Sequence, residues 1–212
     1  MGQKHFKNFS YPQDCIHINN LQLSGKNLEP QSDSKRLLVQ ANSQLQAVLP
    51  QKISNSLSKL TFLTYNVWFE YFNENNRVPC LLKLLDTSEA DFICLQEVTA
   101  DFMKELLKAP WLTSKYLFSG YQMSGYNCLI LSKLHCNYFR YAYKYTGMGR
   151  SLFVAETEVN GEAIAVATSH FESLDSADIR KDQLEVAFKV LDKYSTALLM
   201  GDFNFDSSWN NE

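Results

Sequence analysis

The sequence predicts a mixed-sheet α/β domain preceded by an N-terminal extension. From residue 59 onward, short apolar runs rich in β-branched and aromatic residues alternate with helical patterns. An Asn160-Gly161 step between two such runs marks a hairpin in the middle. The 212 residues are 45% hydrophobic and 20% charged, enough for one sizeable core and too apolar for a disordered tail.

Residues 1–58 are rich in Asn, Gln, Ser and Lys and are expected to form an extension, partly disordered. Within it, 35–49 reads as a helix with Leu37, Leu38, Leu45 and Leu49 on one stripe, stopped by Pro50. The domain proper is expected over 59–212. Residues 60–67 form a buried strand candidate. Residues 78–85 have helical character, with Pro79 at a first-turn position. The run 91–96 is a second strand, and 101–108 a short helix. Residues 127–132, 151–159 and 162–169 read as strands, the last two joined by Asn160-Gly161. Residues 178–194 form a helix with Ile179, Leu184, Ala187, Phe188 and Leu191 on one face, and 197–200 a last strand.

No run of 18 apolar residues exists, so no membrane-spanning helix is expected. The polar stretch 1–10 is not followed by a signal-peptide core, and Phe6 stands where a myristoylation motif needs Ser or Thr. The cysteines at 15, 80, 94, 128 and 136 form no Cys-x-x-Cys clip and read as reduced thiols, with Cys94 and Cys128 inside apolar runs. That usage points to a reducing setting, nucleus or cytoplasm. The net charge of −3 hides an asymmetry: residues 101–150 carry +5 and 151–212 carry −8. An acidic chain is not a general nucleic-acid binder, but a basic stretch beside an acidic one can hold a polyanion next to a cation. Tyr116, Tyr121, Tyr126 and Tyr138 punctuate the basic stretch. They are candidates for base stacking or for strand positions in a half-buried sheet.

Polar groups recur where the apolar strands end. Asn66 closes Leu63-Thr-Tyr-Asn66, and Glu97 closes Ile93-Cys-Leu-Gln-Glu97. His170 closes Ala167-Thr-Ser-His170, and Asp202 and Asn204 close Leu199-Met-Gly-Asp202-Phe-Asn204. Ligands of α/β sheets bind at strand ends, so these residues are expected in one cleft. Glu97 and Asp202 offer hard oxygen ligands suited to Mg²⁺. Asn66 and Asn204 orient a water or phosphate oxygen without adding charge, and His170 can donate to a pentavalent phosphate. Gly201 frees the backbone to turn before Asp202. No set of His and Cys ligands for zinc and no Gly-x-x-x-x-Gly-Lys loop is present.

In this order, Thr64-Tyr-Asn66, Leu95-Gln-Glu97-Val, Thr168-Ser-His170 and Gly201-Asp202-Phe-Asn204 resemble the endonuclease/exonuclease/phosphatase superfamily, with its DNase I-like fold. Within it, Ser169-His-Phe-Glu-Ser173 is similar to the signature of the tyrosyl-DNA phosphodiesterases. Thr64-Tyr-Asn-Val-Trp-Phe69 and Met148-Gly-Arg150 look like their plant and protist members. The resemblance covers about residues 59–206 and implies a four-layer α-β-β-α sandwich. It implies Mg²⁺- or Mn²⁺-dependent hydrolysis of a phosphodiester joining a tyrosine to a DNA 5′ phosphate, with DNA bearing 5′-tyrosyl adducts, at single-stranded ends, as partner. It makes Glu97 the metal ligand and Asp202 the group that activates water, helped by Asn204. Asn66 and His170 would contact the scissile phosphate, Ser173 a phosphate oxygen, and Arg150 the DNA groove.

Trp68 replaces the Asp of animal members, and Asp175 stands where they carry an Arg. The superfamily pattern also continues into a Ser-Asp-His motif, whereas this sequence ends at Glu212. The expectation is therefore a fold whose C-terminal part is missing, with weak or no turnover. Another nuclease or phosphatase of the same fold, and a non-catalytic nucleic-acid or protein binder, remain the alternative readings.

Overall fold

The computed structural model describes residues 15–17, 57–68, 70, 74–119 and 125–206. The helix expected over 35–49 lies outside them, as does Tyr121. Nine strands, numbered in chain order, form two sheets among these residues. They are β1 (Cys15–His17), β2 (Phe62–Asn66), β3 (Phe92–Thr99), β4 (Leu117–Phe118), β5 (Tyr126–Ser132), β6 (Asn137–Ala142), β7 (Ser151–Val159), β8 (Glu162–His170) and β9 (Thr196–Asp202). The helices are α1 (Glu74–Ser88), α2 (Ala100–Lys108), α3 (Pro110–Lys115) and α4 (Ala177–Leu191). One sheet has the order β2-β3-β5-β4 and the other β1-β6-β7-β8-β9. Each contains one parallel pair, β2 with β3 and β8 with β9; every other pairing is antiparallel.

Alternation along the strands builds three apolar layers. On β3 and β5, Ile93, Leu95, Leu129 and Leu131 face α1, α2 and α3. Phe92, Cys94, Cys128 and Ile130 face the second sheet and meet Phe153, Ala155 and Val166 there. The far face of that sheet packs Leu152, Val154, Ala165 and Ala167 under Ala187 and Leu191 of α4. The result is the α-β-β-α sandwich that the resemblance implies. Because both faces of β3 are covered, its residues read as a continuous apolar run rather than an alternating one. Gln96, 1% exposed, joins the sheets: its Nε2 donates to Thr64 Oγ1 (3.1 Å) on β2 and to Thr168 Oγ1 (3.0 Å) on β8.

Several sequence expectations shift. Pro79 lies in the second turn of α1, which begins at Glu74. At this sixth position it forfeits one intrahelical hydrogen bond instead of sparing an orphan donor. Helix α2 starts where its cap dictates, Thr99 Oγ1 accepting from Phe102 N (3.2 Å). Strands β4 and β6 and helix α3 were not signalled, being short or polar-interrupted. Strand β1 places residues 15–17 of the expected extension antiparallel against β6.

Base stacking by Tyr116 and Tyr138 is corrected: both are buried, at 0% and 4% exposure. Tyr116 sits in the layer under the helices, its hydroxyl donating to Ala90 O (2.7 Å), and Tyr138 lies between the sheets. Much of the basic charge of 101–150 is matched locally as well. Lys104, Lys108, Lys115 and Lys133 each pair with an Asp or Glu on the surface. Cys80, Cys94, Cys128 and Cys136 form no disulfide among the described residues. Burial pushes the Cys128 thiol up to about 12 and Cys136 to about 11, and raises Cys94 as well, which disfavours their thiolates.

Candidate active site

The two parallel pairs end side by side, and their C-terminal residues form one cluster. Asn66 ends β2 and His170 ends β8, while Asp202 ends β9 in register with His170. Glu97 reaches the cluster through a bulge. Between the pairs Leu95/Leu129 and Val98/Asn127, β3 has two residues and β5 has one. Strict alternation would put Glu97 on the apolar face beneath the helices. The extra residue gives that position to Val98, and a φ of 60° re-aims the Glu97 side chain.

Asn66 stands at the centre. Its Nδ2 donates to Glu97 Oε1 (2.9 Å) and to Asp202 Oδ2 (2.8 Å). Its Oδ1 accepts from Trp68 N (2.8 Å), which fixes which way the amide faces. Trp68 itself has a φ of 60°, unusual for a bulky residue, and its ring lies 5.2 Å from the Arg77 guanidinium. His170 Nδ1 is 3.8 Å from Glu97 Oε1, and its Nε2 is 3.6 Å from Asp202 Oδ2.

Arg150 fixes the state of His170. Its Nη1 lies 2.9 Å from His170 Nδ1. A guanidinium has only donors, so Nδ1 is an acceptor, the ring is neutral and its proton sits on Nε2. Burial and the positive charge of Arg150 both hold the imidazole below its ordinary range. Arg150 is 7% exposed, and its guanidinium lies 5.2 Å from the Tyr126 ring. Its Nε is buried and meets no acceptor among the described residues.

Asp202 is shaped by its own turn. Asn204 N donates to Asp202 Oδ1 (3.1 Å), and Asp202 O accepts from Phe171 N (2.9 Å). The Asn204 amide turns away from the cluster, with Nδ2 donating to Phe171 O (2.9 Å). Asn204 thus braces Asp202 and does not point its amide nitrogen at the cleft. Gly201 matters for approach as much as for turning. A Cβ there would lie 2.0 Å from Ser169 O on the neighbouring strand. Ser173 is the expected residue that the structure sets apart: its hydroxyl donates to Met148 Sδ (3.2 Å). A cleft of 780 Å³ opens beside the cluster between β2 and β9, lined by Tyr65, Asn66, Asp202, Phe203 and Phe205.

The donor set fits a hard divalent cation. One oxygen each of Glu97 and Asp202 and one His170 nitrogen lie within 4.8 Å of one another. Two carboxylates face a neutral amide and a neutral imidazole, which leaves net negative charge for Mg²⁺ or Mn²⁺ to balance. With Nδ1 engaged by Arg150, His170 is better suited to donating a hydrogen bond than to ligating.

Sequence reasoning missed Glu172. It lies within the Ser169–Ser173 motif, where nothing in the neighbouring residues marks it as buried. It is 3% exposed. The useful signal was the company it keeps on α4, where Arg180 and Gln183 follow at helical spacing.

Residues 63–211 match the Endonuclease/Exonuclease/phosphatase family, and the chain belongs to it. Among curated relatives, tyrosyl-DNA phosphodiesterase 2 of Xenopus laevis is 28% identical over 157 residues. That match covers 69% of this chain and 41% of the relative, so the chain spans less than half the length of the curated proteins it matches. Among solved structures, D. rerio TDP2 complexed with single-strand DNA product superposes with a TM-score of 0.62 at 24% identity, over 72% of this chain and 63% of that one. ANGEL2, a 2′,3′-cyclic phosphatase, superposes with a TM-score of 0.55 at 21% identity, over 70% and 53%. At these identities the structural likeness speaks for the fold.

Proposed function

We propose that this chain is a metal-dependent phosphodiesterase acting on 5′-phosphotyrosyl DNA ends. The observation that carries the reading is Asn66 bound to both Glu97 and Asp202 beside a neutral His170. Membership of the family and similarity to tyrosyl-DNA phosphodiesterase 2 support the substrate class.

Glu97 would hold Mg²⁺ or Mn²⁺, which when bound neutralises charge on the phosphoryl oxygens. Asp202, half-buried and braced by Asn204, accepts the proton of the attacking water. The neutral His170 presents Nε2–H to a non-bridging oxygen and stabilises charge that grows in the transition state. Asn66 holds the two carboxylates in register. Arg150 keeps His170 in that tautomer and still has Nε as a donor for a phosphate oxygen. The half-buried Tyr126 ring, held against Arg150, offers an aromatic face near His170, with ring centroids 6.4 Å apart. Ser173 reaches the phosphate only if its hydroxyl leaves Met148. The setting we infer is nuclear or cytoplasmic.

The deciding experiment measures Mg²⁺-dependent release of tyrosine from a 5′-phosphotyrosyl oligonucleotide, with Glu97→Ala as control. Release that needs both the metal and Glu97 supports the reading. A folded chain that leaves this substrate intact overturns it, and hydrolysis of a 2′,3′-cyclic phosphate instead would move the chain to another branch of the family.

A further inference from the structure

Glu172 lies outside the cluster, in the segment between β8 and α4. Its carboxylate accepts from three neutral donors: Gly147 N (2.8 Å), Thr146 Oγ1 (2.8 Å) and Gln183 Nε2 (3.2 Å). Its own backbone is clamped to α4. Glu172 N donates to Gln183 Oε1 (2.8 Å), and Arg180 Nη1 donates to Glu172 O (3.1 Å) and Leu174 O (2.8 Å). A buried carboxylate is expensive to desolvate, and here it is spent on a loop, residues 143–150 between β6 and β7.

The loop leads straight to the site. The Thr146 hydroxyl has one hydrogen, which it donates to Glu172 Oε2. Its lone pairs then accept from Met148 N (3.3 Å) and Arg150 N (3.0 Å), so its capacity is full. Gly147 comes so close that a Cβ would lie 3.1 Å from Glu172 Oε1. Arg150, fixed at its backbone, places Nη1 on His170 Nδ1 and its guanidinium over Tyr126.

We propose that Glu172 is a positioning residue for the site: through Thr146 and Gly147 it docks the 143–150 loop so that Arg150 sets the tautomer and orientation of His170. This deepens the phosphodiesterase reading and rests on it for its catalytic consequence. The docking itself does not. Groups that orient a reacting side chain affect rate by about 10–100-fold without touching substrate.

The test uses Glu172→Gln, Thr146→Val and the conservative Thr146→Ser in the full chain, with Arg150→Ala as a background. Amide hydrogen exchange is read first. At Gly147 and Arg150 it is expected to accelerate about tenfold or more in Glu172→Gln and Thr146→Val, to stay near wild type in Thr146→Ser, and to leave Val154 and Val166 unchanged. Tyrosine release from the phosphotyrosyl oligonucleotide is read second. Its kcat is expected to fall about 10–100-fold with KM nearly unchanged, and Glu172→Gln should add nothing once Arg150 is Ala. Wild-type exchange at Gly147 and Arg150 in both variants overturns the proposal. So does a Glu172→Gln rate effect that persists in full without Arg150. Failure of the wild type to cleave sinks the phosphodiesterase reading alone, and the exchange measurement still decides whether Glu172 docks the loop.

Discussion

Both sheets deliver their polar side chains through a parallel strand pair, but the inner and edge members of each pair are held differently. Glu97 on β3 and His170 on β8 belong to inner strands and are 8% and 5% exposed. Asn66 on β2 and Asp202 on β9 belong to the outermost described strands and are half-buried. The inner pair is set by a bulge and by Arg150, deep in packed structure. The edge pair is set by short local contacts from Trp68 N and Asn204 N and by the Asn66 amide, which ties Asp202 to Glu97. Inner residues therefore carry both stability and chemistry, whereas edge residues carry mainly chemistry.

The sharpest way to break this contrast is Gly201→Ala. An added Cβ meets Ser169 backbone rather than a flexible side-chain end, so β9 must separate from β8. We expect a loss of about 3 kcal/mol or more, read as the urea midpoint, which would make one edge position as critical as the core. Asp202→Asn should do the opposite. It should lower kcat by about 100-fold or more. In metal-free protein it should raise stability by about 0.5–1 kcal/mol, because it removes one of two carboxylates crowded on Asn66. A thermal melt with and without Mg²⁺ checks this: wild type gains from the metal by mass action, and the variant gains less.

The inner member His170 predicts a pH effect. Its folded-state value lies below the ordinary 6.5, so the unfolded chain binds the proton more readily. This contribution is whole above pH 6.5 and is lost as pH falls from there through the folded value. Unfolding of metal-free wild type against His170→Gln should show that slope in the wild type only. The smallest effect concerns the edge. Phe62 and Leu198 are 40% and 37% exposed, and among the described residues β2 and β9 each pair on one side only, with no charged residue at 62–66 or 196–201 to guard them. Leu198→Lys should change stability by only about 0.5 kcal/mol. It should also reduce concentration-dependent association, seen by light scattering.

How much of this was legible beforehand depended on whether the signal was local. Strands β7 and β8 were readable to within a residue because Asn160-Gly161 fixes their turn. The strand ends bearing Asn66, His170 and Asp202 were readable because polar residues break apolar runs there, whereas β3 runs two residues past Glu97 to Thr99. That Glu97 needs a bulge to face the cleft was not readable, since a bulge depends on the partner strand. Nor was the diversion of Asn204 to Phe171, or of Ser173 to Met148. Tyr116 and Tyr138 stayed open between two readings because their spacing looks the same in a stacking surface and in a packed sheet, and the structure packs both. Glu172 was hidden because its partners Thr146 and Gln183 lie 26 and 11 residues away in sequence.

Gln96 has a consequence for how the molecule comes together. Its hydrogen bond to Thr168 spans 72 residues of chain, whereas its bond to Thr64 spans 32. Within its own sheet the amide already reaches Thr64 Oγ1 and Cys94 O, both at 3.1 Å, and only docking of the two sheets adds Thr168. Closing so long a loop is slow, so this bond belongs to the late steps of assembly. The strand ends of both sheets meet in the same event. A partly folded chain would hold paired strands and no cleft, which makes chemistry at the cleft a readout of completed folding.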